Sequence, residues 1–145
     1  MSAPLSVPAP IAALIEYLMA DPLIAAEVAG RVYGVRVPGS EISTMPRASV
    51  LITLAGGAGF GQGEKLYYQN FDVRTFGASA LEADLVQTMC RLALGKLRPF
   101  KSVQANCLLY SAEMLNGANL LFDPELAWPG EFTTWAIAYK HTGVN

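Results

Sequence analysis

Few residues of this 145-residue chain have the types and spacing that catalysis requires. His141 is the only histidine and has no cysteine near it in the sequence. We therefore expect neither a histidine metal site nor a nucleophile activated by a histidine base. Ser79 lacks the second glycine of a nucleophile elbow and is interpreted as a helix cap. Asp72 and Arg74 share one face of a predicted strand, where they are expected to form a surface ion pair rather than an acid/base pair.

A glycine-rich segment from Gly56 to Gly63, with five glycines in eight positions, has the composition of a phosphate-binding loop. Such a loop needs a helix directly after the glycines, but Tyr67 to Phe76 alternates like a strand. Gln62 also stands where the third glycine of the nucleotide-binding motif is required. The segment therefore predicts the tip of a long β-hairpin that contacts a partner. The predicted contact residues are Gly57, Gly59, Phe60, Gly61, Gln62 and Gly63.

The composition predicts one domain with apolar surface to spare. Hydrophobic residues make up 52% of the chain and charged residues only 15%, with a mean hydropathy of +0.32. No apolar run is long enough for a membrane span and the N-terminus lacks a basic signal region, so we expect a soluble intracellular chain without membrane partners. The two cysteines, Cys90 and Cys107, fall in a helix pattern and a strand pattern and are expected to be buried free thiols.

The charges are unevenly distributed along a chain whose net charge is −2. Four basic residues stand in a segment without acids, whereas residues 1–30 carry acids only. One interpretation is that these cations complement the C-terminus of a helix, and the other is that they contact an acidic face of a neighbouring subunit. Sequence-specific nucleic-acid binding is not expected, because no aromatic residues alternate with the bases. The candidate inter-subunit residues are Arg91, Lys96, Arg98 and Lys101.

The helices needed to position these residues are indicated by apolar spacing and by caps. Residues 1–9 have no periodicity and predict a flexible arm, followed by a single domain over residues 10–145. A first helix begins at Pro10, and a second, capped by Asp21, is stopped by Gly30. A capping box that starts at Ser79 opens the strongest helix. Its predicted apolar face comprises Leu85, Val86, Met89, Leu92, Ala93 and Leu97.

Alternating segments complete an α+β fold with helices on one face of a sheet. The sheet is expected to be mostly antiparallel, with about four to five strands and one long β-hairpin. The last two strands are predicted at about Ala105 to Leu115 and Phe132 to Lys140. Residues 116–130 between them are predicted to be an irregular connection.

The order of elements resembles the tail terminator, or tail completion, proteins of long-tailed bacteriophages and related tailed particles. The resemblance spans about residues 10–140 and rests mainly on the segments Asp21 to Tyr33 and Asp72 to Leu92. It implies a structural virion protein without enzymatic activity or cofactor. It further implies a homo-hexameric ring that caps the tail tube and provides the surface for head-to-tail joining. The implied partners are other copies of the chain, the tail tube protein and the head connector or neck proteins.

Two other functions remain open at the level of sequence. The chain is compatible with another neck component, such as a connector or stopper ring. Less favoured is a small ligand-binding domain whose pocket would contain Tyr68, Asp72 and Arg74. The tail terminator interpretation implies assembly in the host cytoplasm and a final place in the tail or neck of the virion, with DNA passing through the ring.

Overall fold

Within the described residues, four helices and one six-stranded sheet form an α+β fold, as the sequence predicts. The computed structural model describes residues 7–56, 66–121 and 128–142. The sheet order is β1-β2-β3-β6-β5-β4, with β1 and β2 parallel and all other pairs antiparallel. The elements are α1 (Pro10–Met19), α2 (Pro22–Val28), β1 (Val32–Gly34), α3 (Gly39–Ile42), β2 (Ser49–Leu54), β3 (Leu66–Phe76), α4 (Ala80–Gly95), β4 (Phe100–Ser102), β5 (Cys107–Leu121) and β6 (Gly130–Lys140).

Two features of the sheet differ from the expectation. The short strand β4, which has only three residues, is too brief to show alternation and was not predicted. Strand β5 continues to Leu121 through the segment predicted to be irregular. Pairing with β6, at Leu120 with Glu131 for example, holds this glycine- and asparagine-containing segment extended despite its low strand propensity and several register shifts.

The helix boundaries follow the predicted caps closely. The Asp21 carboxylate accepts hydrogen bonds from the backbone N–H groups of Leu23 and Ile24, at 2.9 and 3.2 Å, and Pro22 occupies the first helical position. Helix α2 ends one residue earlier than expected, because Ala29 already adopts the left-handed conformation with φ 49° ahead of Gly30. The cap of α2 is thus set locally by these side chains and backbone angles.

Helix α4 begins with the predicted capping box, in a slightly shifted form. Ser79 Oγ accepts a hydrogen bond from the Glu82 backbone N–H at 3.2 Å. The Glu82 carboxylate reaches back to the Ala78 N–H at 2.8 Å, one residue before the expected donor. Gly77 lies directly beneath this turn, where a Cβ atom would stand only 2.6 Å from a backbone nitrogen of α4. The close approach of the strand end to the helix explains the glycine.

The prediction of the apolar face of α4 is wrong for two of its residues. Leu85 and Leu92 are 47% and 61% exposed. The face that packs on the sheet is instead centred on Ala83, Cys90 and their neighbours, so the helix is rotated relative to the expected stripe. The remaining predicted residues do contact the core, and the fully or nearly buried set on α4 is Ala83, Val86, Gln87, Cys90, Ala93 and Leu94.

The main hydrophobic core lies between the sheet and α1, α2 and α4. Both cysteines are buried and free, which confirms the sequence-based prediction. A smaller cluster lies on the opposite sheet face, where Phe76 and Trp128 pack edge to face with ring centroids 5.4 Å apart. Among the described residues, that cluster covers the β1-β2-β3 side of this sheet face. The largest fully buried apolar side chains include Phe71, Leu14, Leu18, Ile24, Ile52, Leu94, Leu109 and Ile137.

Candidate interaction surfaces

The residues that were considered for catalysis form contacts with other residues of the chain. Asp72 Oδ2 lies 3.9 Å from the Arg74 guanidinium, which confirms the predicted ion pair, and the other Asp72 oxygen accepts a 2.6 Å hydrogen bond from Thr134. His141 is partly buried, with Nδ1 3.4 Å from the Asn106 amide nitrogen. Within the described ranges, no group of three or more His, Cys, Asp or Glu residues is arranged to hold a metal ion.

The glycine-rich hairpin tip is described only at its base. Strands β2 and β3 pair in antiparallel register from Ser49 with Phe76 to Leu54 with Phe71. The pairing continues one step further, where the Ala55 N–H donates to the Asn70 carbonyl at 3.1 Å. The predicted contact residues Gly57, Gly59, Phe60, Gly61, Gln62 and Gly63 lie outside the described residues.

The four basic candidates lie on or between different elements. Arg91 donates to the Thr88 hydroxyl at 3.1 Å on the outer side of α4. Lys96 is the C-cap residue of α4, so it alone matches the interpretation that the cations complement the helix end. Arg98 follows the helix, near the end of α1, and Lys101 is exposed in the middle of β4.

A pair of carboxyl groups lies beside Arg91, although the sequence around Arg91 is free of acids. Glu131 on β6 faces α4, and burial, a hydrogen bond with Asp84 and the Asp84 charge raise the pKa of Glu131. The charge of Arg91 acts in the opposite direction and lowers this pKa. Arg91 is therefore engaged in part by carboxyl groups of its own chain.

The solvent side of α4 carries an apolar stripe, and two of its three leucines, Leu85 and Leu92, were predicted to face the core. Leu81, Leu85 and Leu92 are 80%, 47% and 61% exposed. Part of this stripe borders an open groove of about 500 Å³ between α4 and α2. The groove is lined by Glu27, Ser79, Leu81, Glu82, Asp84, Leu85 and Thr88.

A second uncovered surface runs along β5. Strand β4 pairs only with Cys107–Leu109, so from Tyr110 onward the edge of β5 has no neighbouring strand in the described part of the chain. Along this edge Tyr110, Met114 and Leu115 are 44–48% exposed and Leu120 is 80% exposed. Long unpaired edges with apolar residues are sites where other chains pair or pack.

Two solved structures share this fold over most of their length. A chain from the virion of a native gene transfer agent particle superposes with a TM-score of 0.55 and 18% identity, covering 90% of this chain and 92% of that one. This chain therefore shares its fold with a chain of a virion. The bacteriophage SPP1 gp17 protein matches with a TM-score of 0.51 and 16% identity, over 92% of this chain and 89% of that chain. No protein-family model and no curated protein matches the sequence.

The two neighbours are proteins of phage or phage-like particles, and this chain shares their fold. None of the described helices is long and apolar enough to cross a membrane. Sequence reasoning missed the exposed leucines of α4, and the signal that would have revealed them is their spacing at i, i+4 and i+11, which defines a second stripe on one helix.

Proposed function

We propose that the chain is a structural virion protein that forms a ring on the end of a phage-type tail tube. In this role the ring stops growth of the tube and supplies the surface that joins the tail to the head. The observation that carries the proposal is the fold match, which extends over nine-tenths of the chain and of its virion counterpart. The order of elements described above supports the same family.

The surfaces of the chain are suited to a ring. A closed cyclic ring uses a heterologous contact, so each subunit must present two different patches. The exposed leucine stripe of α4 and the open β5 side of the sheet are two such patches on different elements. We propose a homo-hexamer, in keeping with the family that the chain resembles.

The proposal also assigns a role to the glycine-rich loop and accounts for the passage of DNA. The loop from Gly57 to Gly63 contacts the last ring of the tail tube and inserts Phe60 as an apolar contact. A loop with so many glycines is costly to order, and a partner that fixes it offsets this cost. DNA passes through the ring without tight binding, because a chain with a net charge of −2 does not attract the DNA phosphates.

The ligand-binding alternative has less support. Tyr68, Asp72 and Arg74 share one face of β3, and the Asp72 carboxylate is occupied by Arg74 and Thr134. The two described grooves, of about 500 and 630 Å³, are lined by other residues.

The function is tested by removing the gene from the particle-producing genome and examining the particles by electron microscopy. We expect tails of irregular length or tails that fail to join heads, with rescue by the wild-type chain supplied in trans. Tails of normal length joined to heads would contradict the proposal. In a pull-down with purified tail tubes and with portal complexes, binding to tubes is expected, whereas binding to portal alone would indicate a connector or stopper ring.

The role of the loop is tested by deletion of Gly57–Gly63 and, separately, by Phe60→Ala. Both variants should retain the helix content of the wild type and lose tail capping in the rescue assay. A deletion of this kind leaves the β2–β3 pairing from Ser49 to Leu54 in place, so folding serves as the internal control. Normal capping by both variants would show that the loop does not contact the tail.

A further inference from the structure

Helix α4 has two apolar stripes on opposite sides. The residues buried against the sheet include Ala83, Cys90 and Leu94, whereas Leu81, Leu85 and Leu92 are exposed. At 100° per residue the exposed leucines fall within roughly 40° of one another, on the side of the helix opposite the buried stripe. A helix with apolar residues on its solvent side is typical of a surface that another chain covers.

The groove beside this stripe is acidic. Glu27, Glu82 and Asp84 line it together with Leu81 and Leu85, and no basic residue is among its lining residues. Arg91 lies about two turns beyond Asp84 on the same helix, where it bonds Thr88 and acts on Glu131. We call the lining residues and Leu92 the leucine groove. Its occupant should combine apolar and positively charged side chains.

The same chain carries such a surface on the outer face of the sheet. Lys101, Leu108 and Lys140 are direct cross-strand partners on β4, β5 and β6, so their side chains lie in one row on one face. The Lys140 ammonium lies 6.0 Å from the Tyr110 ring centre, and Tyr110 and Tyr68 are nearly half exposed beside the row. We call these five residues the lysine face.

Among the residues that the structure describes, no acid lies close to the lysine face. Glu113 is the first carboxylate along β5 on this face, and it pairs with Ala136, four residues from Lys140. That spacing corresponds to about 13 Å along the strand. Aromatic side chains such as tyrosine are enriched in the core of protein interfaces, and charged groups such as lysine ammonium groups lie at their polar rim.

We propose that copies of this chain dock head to tail, with the leucine groove of one copy receiving the lysine face of the next. This proposal rests on the self-association in the proposed function and names the surfaces that carry it. Neither surface can pair well with a second copy of itself, because carboxylates would face carboxylates or lysines would face lysines. The opposite charges instead favour a heterologous contact, which is the kind that closes a ring.

Two variants test the contact, one on each surface. Leu85→Lys places a cation in the groove, and the double variant Lys101→Glu with Lys140→Glu reverses the charge of the lysine face. Matched controls are Leu54→Lys, at a leucine 59% exposed on β2, and Arg36→Glu, at an exposed arginine after β1. Circular dichroism and thermal melting establish that all variants fold.

Self-association is measured by sedimentation velocity up to millimolar concentration. The wild type and both controls should associate, and each surface variant should associate roughly tenfold or more weakly. An equimolar mixture of the two surface variants should form heterodimers and no larger species, because each retains one intact surface. Charge exchange, with Glu27→Lys combined with Lys101→Glu, should restore part of the association lost by either single change.

Three results would overturn the docking proposal: a monomeric wild type throughout this range, surface variants that associate like the wild type, or a variant mixture without heterodimers. If the wild type and the surface variants form rings equally well, the ring proposal stands and only these contact surfaces are rejected. Failure of the wild type to cap tails in the rescue assay would reject the proposed function independently of the association results.

Discussion

The buried amide of Gln87 is expected to be the most sensitive polar position in the fold. Gln87 has no exposed surface and lies between α4 and the sheet. Its amide nitrogen donates to the Val73 carbonyl and to Thr75 Oγ1, both at 3.1 Å. Its carbonyl oxygen accepts from Thr133 Oγ1 at 2.8 Å, so three hydrogen bonds connect the helix with β3 and β6.

Replacement of Gln87 by leucine should lower the free energy of unfolding by about 2–4 kcal/mol. Each lost hydrogen bond costs about 1 kcal/mol net, and the Thr133 hydroxyl is left without an acceptor in the core. The greater hydrophobicity of leucine, which is similar in size, offsets part of this loss. For a chain of this length the melting temperature should fall by about 6–12 °C.

Urea unfolding followed by tryptophan fluorescence measures this change. Trp135 is a suitable reporter, because its indole N–H donates to Thr133 Oγ1 at 2.7 Å next to the altered site. Gln69→Leu is the matched control: Gln69 is partly exposed and accepts one hydrogen bond, from Tyr139, so its loss should cost less than about 1 kcal/mol. Equal effects of the two substitutions would refute the argument that the buried network stabilises the helix on the sheet.

Three further predictions concern individual residues. Gly77→Ala should destabilise the fold by about 1–3 kcal/mol in thermal melts, because its Cβ would stand 2.6 Å from a backbone nitrogen of α4; an unchanged melting temperature would contradict this. Burial and Asp84 raise the pKa of Glu131, so the free energy of unfolding should fall as pH rises through that pKa, and Glu131→Gln should weaken this dependence in urea titrations. Burial raises the pKa of Cys90 and Cys107 to about 12, so thiol reagents at pH 8 should modify them only after unfolding, and rapid labelling of the native chain would be the opposing result.

The parts of the fold that depend on neighbouring residues were predictable from the sequence. The caps formed by Asp21 and Ser79 need only hydrogen bonds within one helical turn, and both are present. The alternation from Tyr67 to Phe76 predicted β3 because buried residues, Phe71, Val73 and Thr75, alternate with residues that are only partly buried. The absence of a helix after the glycines likewise argued for a hairpin, and β2 and β3 pair as its two strands.

The candidate surfaces were harder to predict from the sequence. Apolar spacing shows that Leu85 and Leu92 are hydrophobic, but α4 has apolar residues on two sides, and only packing against β3 and β6 selects the buried one. Basic residues that are close in sequence, such as Arg91 and Lys101, are separated by the end of a helix and the start of a strand. Lys101 and Lys140, far apart in sequence, become neighbours through strand register alone.

The sequence by itself determined the local features of this protein: where helices begin, which segments alternate, and an element order that resembles that of phage tail proteins. The tertiary structure alone decided which side of α4 is buried, that Gln87 belongs to the core, and that β5 extends to Leu121. Local features depend on residues within a few positions of one another, so the sequence displays them directly. Burial and strand pairing instead depend on contacts between distant segments, whose free energies are set only when the whole chain has packed.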